Sequence, residues 1–381
     1  MKATKLFKEF FESEKAGGIV LVVCTVVSML LANSAFHESY LGFWNIPIAG
    51  HGLSHWVNDG LMAIFFLLIG VELEREIYIG ELSNIKNALL PISAAAGGML
   101  IPAAIFLLFN FGTATQPGAG IPMATDIAFA LGILSLLGNK VPTSLKVFLT
   151  ALAVIDDLGA IIVIAIFYTK SIAWISLMIS LGIWAVLLIL NKMKVYNLLP
   201  YLIGGAGMWY FMSHSGVHAT ITGVLLGFAI PFGNGDEKSP SYILQHWLHK
   251  PVAFIILPVF ALANTAVVIS PGWQHTFTAP LGAGIIAGLA LGKPIGILLI
   301  SFIAVKSGIC RLPSDIKWKH ILGAGLLAGI GFTMSIFIAL LAFEDETIIN
   351  NAKFLILIAS LISGVLGFIW LKRTLKNSYA E

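Results

Sequence analysis

Charge is what this chain of 381 residues has least of. Asp, Glu, Lys and Arg together make up 11% of it, against roughly 25% in a soluble domain. Apolar residues make up 58%, and mean hydropathy is +0.94. These values exclude a soluble enzyme or a string of soluble domains. Apolar runs recur from end to end with short loops, so residues 1–381 read as a single integral membrane domain of the all-α class. Cysteine is nearly absent: Cys24 packs inside the first apolar run and Cys310 sits in a basic loop. Two such residues make neither a disulfide framework nor a metal site. A cleavable leader is not expected, because the basic start from Met1 to Lys8 runs into acidic residues and then a span too long for a signal core. The net charge of +3 is small. No cofactor and no nucleic-acid partner is expected.

What is present is a repeating pattern of apolar runs. Twelve are read as membrane-spanning helices, near residues 16–35, 54–78, 87–109, 118–137, 143–168, 172–190, 197–213, 216–231, 251–269, 280–304, 319–341 and 349–371. The Lys and Arg residues support this map. With the N-terminus inside, nineteen of the twenty-two fall on cytoplasmic segments, leaving Lys170 and Lys353 outside and Lys293 within a span. One missed helix would invert every later loop, so both termini are expected in the cytoplasm. The longest external loop, 36–53, alternates weakly around Ile46 and Ile48 and is expected to hold a small β-hairpin or to lack regular structure. The segment 231–240 is turn-rich and reads as a flexible connector between halves.

Two spans are interrupted. The fourth contains Gly118-Ala119-Gly120-Ile121-Pro122-Met123-Ala124-Thr125-Asp126, and the eleventh contains Gly329-Ile330-Gly331-Phe332-Thr333-Met334-Ser335. Paired interruptions of this kind point to broken helices around a midplane site, with spans three to five repeated by spans ten to twelve. Close helix packing through small residues is the plainer alternative.

Histidine aside, five ionisable residues lie well inside the spans: Asp59, Asp126, Asp156, Asp157 and Lys293. Each costs about 2.5–3.5 kcal/mol at the bilayer centre on insertion scales. Asp156 and Asp157 are adjacent and repel when both are ionised, which favours a proton or a cation on the pair. They stand about 100° apart on a helix, so one can face a water-filled funnel while the other meets a neighbouring helix. Carboxylates bind both hard cations and protons, and competition between the two at one site would give exchange. If half-helices meet at one depth, Asp126 offsets facing N-termini and Lys293 facing C-termini. A salt bridge from Lys293 to Asp156 or Asp157 is the alternative for the lysine.

With these residues in hand, the sequence resembles the NhaA family of bacterial sodium/proton antiporters. The resemblance covers nearly the whole chain. It rests on Asn58-Asp59-Gly60-Leu61-Met62-Ala63, Gly70-Val71-Glu72-Leu73-Glu74-Arg75-Glu76, Ala124-Thr125-Asp126-Ile127-Ala128-Phe129, Ile155-Asp156-Asp157-Leu158-Gly159-Ala160, Ser215-Gly216-Val217-His218-Ala219-Thr220, Gly292-Lys293-Pro294 and the Gly329 to Ser335 stretch. Broken helices in an inverted-repeat fold are a known feature of that family, so this expectation and the resemblance are one argument. The resemblance implies that Asp156 and Asp157 bind Na+ or Li+ and release protons. It implies that Asp126, with Thr125, sits where the broken helices cross, balanced by Lys293. It further implies electrogenic exchange that rises towards alkaline pH, sodium and lithium tolerance, residence in the bacterial inner membrane and a homodimer formed through the external hairpin.

For the pH response the family uses a cytoplasmic cluster, matched here by Glu72, Arg75 and Glu76 at the end of the second span and by His246 and His249 before the ninth. Histidines titrate near pH 6.5, and coupled carboxylates can join them. One departure stands out: the family tends to carry an acid just before the first of these histidines, and here it is Gln245. His218 reads as a packed membrane histidine, with modulation of the pH response as its other reading.

Other functions fit less well. An aspartyl protease needs two carboxylates meeting across helices, which adjacent residues cannot do. No His-Glu-x-x-His helix is present for a metalloprotease. A channel needs a continuous pore, usually ringed across subunits. A proton-coupled carrier of another small substrate is the nearest alternative.

Overall fold

The computed structural model describes residues 5–169, 171–269 and 272–376. Lys2 and Lys170 of the charge map lie outside the described residues, as do the chain's last residues. The chain is mostly helical. Among the described residues, eight helices are long and apolar enough to cross a membrane, and ten if each of two bent pairs is one span. The remaining runs of the sequence map, 197–213 and 216–231, form shorter helices, Leu199–Ser213 of 15 residues and Ile221–Ala229 of 9. Large apolar side chains stand bare on the outside, among them Leu108 at 82% and Ile175 at 79% exposure. That pattern suits a lipid-facing surface and would be a liability in water.

The chain divides into two compact units. The first comprises Met1–Glu38, Asn84–Ala160 and Asn264–Glu381. Here Ile85–Asn110 crosses Lys293–Lys306 closely, because Gly97 and Gly296 present bare backbone to each other. A methyl group on either glycine would run into the other's carbonyl. With lipid outside, contact of this kind is what draws helices together. The fourth span is a 3-10 helix, Gln116–Met123, then extended backbone, then an α-helix, Ile127–Ser135. Pro122 accounts for much of this, since it lacks an N–H and cannot sit inside an α-helix without loss. Trp318–Ala328 and Phe332–Ala342 are bent by 48° across Gly329 to Gly331.

The second unit comprises Ser39–Ser83 and Ile161–Ala263. Met62–Tyr78 packs on Ile221–Ala229 through Gly70 and Gly227, where an added Cβ at Gly227 would come within 2.9 Å of the Gly70 Cα. Around it Leu67, Val71, Tyr201, Met208 and Leu226 form an apolar core. The hairpin of the first long loop forms, with β1 (Pro47–Ile48) antiparallel to β2 (His51–Gly52). The loop is less open than expected, since His37–Trp44 is helical. The ninth span differs as well. Its helix begins at Pro240 and runs through a π-helical turn, Val252–Ile256, to Asn264. His246 and His249 therefore lie on this helix and not in a loop before it.

Candidate functional site

In the first unit, Thr125, Asp126, Asp156 and Lys293 converge, and all four are buried. Asp156 and Asp157 sit midway along Thr143–Phe167, at 0% and 1% exposure. The Lys293 Nζ lies 2.7 Å from Asp156 Oδ2. The Thr125 hydroxyl is 2.8 Å from the same oxygen and 2.9 Å from the Ala328 carbonyl, so its single proton serves one of them at a time. Among the described residues, Asp156 Oδ1 has no hydrogen-bond partner although it is fully buried.

Lys293 does two things at once. Besides pairing with Asp156 it donates to the Met123 carbonyl, at the C-terminal end of the 3-10 helix. Both contacts are made in a single arrangement. The carbonyl of Ile121, on the same short helix, accepts from the Ser335 hydroxyl at 2.6 Å. Helix ends leave carbonyls and amides without partners inside the helix, and these side chains supply partners in the buried interior.

Asp126 serves the opposite ends. Its Oδ1 accepts from the Phe129 amide at 2.9 Å, which caps Ile127–Ser135. Its Oδ2 accepts from the Thr333 amide at 3.1 Å and from the Thr333 hydroxyl, in the first turn of Phe332–Ala342. The backbone N–H of Asp126 donates to the Ile330 carbonyl at 2.7 Å. One carboxylate thus takes amides from the N-termini of two helices. Thr333, which bonds Asp126, and Ser335, which bonds the Ile121 carbonyl, are not singled out by the sequence as Asp126 is. Their signal was two hydroxyls, two residues apart, just after the Gly329 to Gly331 break.

In the second unit, two helices bring Glu72 and Arg75 beside Gln245. Glu72, Glu74, Gln245 and His249 are buried, while His246 is exposed and stacks on Tyr242. Arg75 Nη1 donates to Gln245 Oε1 at 3.2 Å, and its guanidinium lies over the Tyr242 ring. Gln245 also hydrogen-bonds Glu72. The departure at position 245 now has a geometry: an amide can accept from Arg75 and donate to Glu72, whereas an ionised carboxylate there would have no proton to donate to Glu72. Glu76 accepts from the Glu81 amide at 3.0 Å. Glu74, absent from the expected set, accepts from Ser241 at 3.3 Å. Asp59 lies in a π-helical turn, Trp56–Leu61, with His55 Nδ1 3.7 Å from its carboxylate. His218 Nε2 is 3.1 Å from the Tyr168 carbonyl.

The comparisons with known proteins bear on this arrangement. The model of the family described as Na+/H+ antiporter 1 matches residues 8–371. The Na(+)/H(+) antiporter NhaA of Flavobacterium psychrophilum is 67% identical over 381 residues, covering 100% of this chain and 99% of that protein. The NhaA of Cytophaga hutchinsonii is 62% identical over 377 residues, covering 99% of this chain and 97% of that protein. That of Dechloromonas aromatica is 61% identical over 374 residues, covering 97% and 96%. Proteins so named are transporters and not enzymes. Matched along nearly all its length, the chain belongs to the Na+/H+ antiporter 1 family.

Proposed function

We propose that the chain exchanges Na+ or Li+ for protons across the bacterial inner membrane, with Asp156 and Asp157 as the competing site. The observation that carries this is the buried Asp156. One of its oxygens is held by Lys293 and Thr125, and the other has no hydrogen-bond partner among the described residues. A carboxylate held this way has an oxygen free for a proton or a hard cation. In the protonated form the Lys293–Asp156 pair stays closed. A Na+ entering on Asp156 and Asp157, with oxygen from Thr125 and nearby carbonyls, competes with the Lys293 ammonium for Asp156 Oδ2 and with protons for both carboxylates. Protons leave as Na+ enters, and the reverse exchange resets the site on the other side.

Asp126 and Lys293 act as fixed countercharges in this reading. The helix N-termini that converge on Asp126 carry about half a positive charge each, and the C-terminal end facing Lys293 about half a negative one. Their partners support reading the fourth and eleventh spans as broken helices. The close crossing of Gly97 with Gly296, on the third and tenth spans, supports an inverted repeat. We extend the reading to twelve spans with both termini cytoplasmic, a homodimer through the β1–β2 hairpin, electrogenic exchange and activation towards alkaline pH through the Glu72–Arg75–Gln245 cluster. Alternating access follows from a site that must open to each side in turn.

The test is made in everted vesicles whose interior is acidified by an imposed proton gradient. Na+ or Li+ should collapse the gradient. No collapse anywhere from about pH 6.5 to 9, the range in which a histidine-containing cluster changes charge, would overturn the assignment.

A further inference from the structure

The second unit contains a cavity of about 840 Å³, within the range of about 300–1,000 Å³ typical of ligand sites. It belongs to none of the polar clusters described above. One wall is a face of the Leu53–Tyr78 span, where Leu53, Val57, Gly60, Ile64 and Leu67 recur at helical spacing. Opposite it stand Ala206 and Trp209, and Gly223 and Leu226 contribute from Ile221–Ala229. No charged residue and no carboxamide lines it. Thr222 and Trp44 also line it, and the buried Thr222 Oγ1 and Trp44 Nε1 have no hydrogen-bond partner among the described residues, so the lining offers isolated hydrogen bonds but no charge for an ion or an amino acid.

The polar edges of two tryptophans at one end are turned to the backbone. Trp56 Nε1 donates to the Ile48 carbonyl of the hairpin at 2.9 Å, and Trp209 Nε1 donates to the Asp59 carbonyl at 3.2 Å. The two rings lie 6.0 Å apart. Phe43 and Trp44 also line the cavity, and their rings meet edge to face. Tryptophans collect where a membrane protein meets the headgroup level. From there the cavity follows the helix from Leu53 to Leu67, about 20 Å at about 1.5 Å per residue. The hydrocarbon of one leaflet is about 15 Å deep.

We infer that this cavity holds one acyl chain of a bilayer phospholipid, entering past Trp56 and Trp209 and ending near Leu67 and Leu226. The cavity is long enough for the part of an acyl chain that lies in one leaflet, the wall is almost wholly apolar, and the headgroup stays outside because no charged side chain waits for it within. The occupant is part of the protein's lipid environment and is not the transported substrate.

The test uses the full chain in phosphatidylethanolamine–phosphatidylglycerol vesicles containing a trace of phosphatidylethanolamine with a mid-chain diazirine. After photolysis, labelled residues are mapped by peptide mass spectrometry. Label should be enriched at Ile64, Leu67 and Leu226 over the bare lipid-facing Ile175. Two variants fill the cavity independently. A Cβ at Gly60 meets only the Trp56 ring, at 3.9 Å, so Gly60→Leu adds bulk without moving backbone, and Ala206→Phe does so from the facing helix. Either variant should lose the cavity label while keeping that at Ile175. Equal labelling of Leu67, Leu226 and Ile175 in the unaltered chain would overturn the inference. So would label unchanged by both variants, or crosslinks from cavity residues to a second copy of the chain in place of lipid.

Discussion

Lys293 Nζ and Asp156 Oδ2 lie 2.7 Å apart, and neither side chain has any exposed surface. Such a pair is weak evidence for stability in itself, yet removing one partner leaves a buried charge with nothing to balance it, at about 3–5 kcal/mol. Lys293→Met should therefore lower the melting temperature of the purified protein sharply. Adding Asp156→Asn to it should recover part of the loss, because the pair then disappears together. A double variant less stable than both single variants would show that the two residues are not coupled in this way.

Asp126 ties two helix starts together through Phe129 and Thr333. Loss of one N-cap costs about 0.5–2 kcal/mol. Asp126→Ala, which removes both, should cost more than Thr333→Val, which removes only the hydroxyl contact. Asp126→Asn should fall between them, since an amide can accept on one side only. Thermal unfolding of the three variants ranks them directly.

Asp345 caps the last helix, accepting from the Thr347 amide at 2.7 Å and the Ile348 amide at 3.2 Å. These bonds hold its carboxyl below the usual 3.8. A depressed folded value means that the stabilisation is full above the unfolded value and is lost as pH falls through the folded one. The difference in melting temperature between the unaltered chain and Asp345→Ala should thus be constant near neutrality and vanish in acid. A difference that grows on acidification would contradict the cap.

Gln245 accepts from Arg75 and hydrogen-bonds Glu72. Gln245→Glu replaces the amide's donor with a second negative charge facing Glu72. The pH–activity curve of exchange in vesicles should move towards alkaline pH, with the maximal rate little changed. An unmoved curve would remove position 245 from the pH response.

The parts of the site legible in the sequence were those whose cost in a membrane is high. Asp126, Asp156, Asp157 and Lys293 stood out because a charge in an apolar run has few harmless explanations. Thr333 and Ser335 did not, because a hydroxyl in a helix is cheap and commonly bonds its own backbone. The carbonyls of Met123, Ala328 and Ile330 carry no sequence signal at all, since every residue has one. Helix centres were legible from hydropathy, and ends were less so. The helix from Pro240 was missed because its first turns are polar on one face, although Pro at the first helical position was a usable start signal. His37–Trp44 lay hidden in what reads as a loop.

The most direct test of the account is the proton released when Na+ binds. Purified protein in weakly buffered detergent solution, followed with a pH indicator, should acidify its medium on addition of Na+ or Li+ and not on addition of choline. Asp156→Asn and Asp157→Asn should each abolish that release while remaining folded. Sodium binding without proton release, or release undiminished in the double Asn variant, would contradict competition at Asp156 and Asp157.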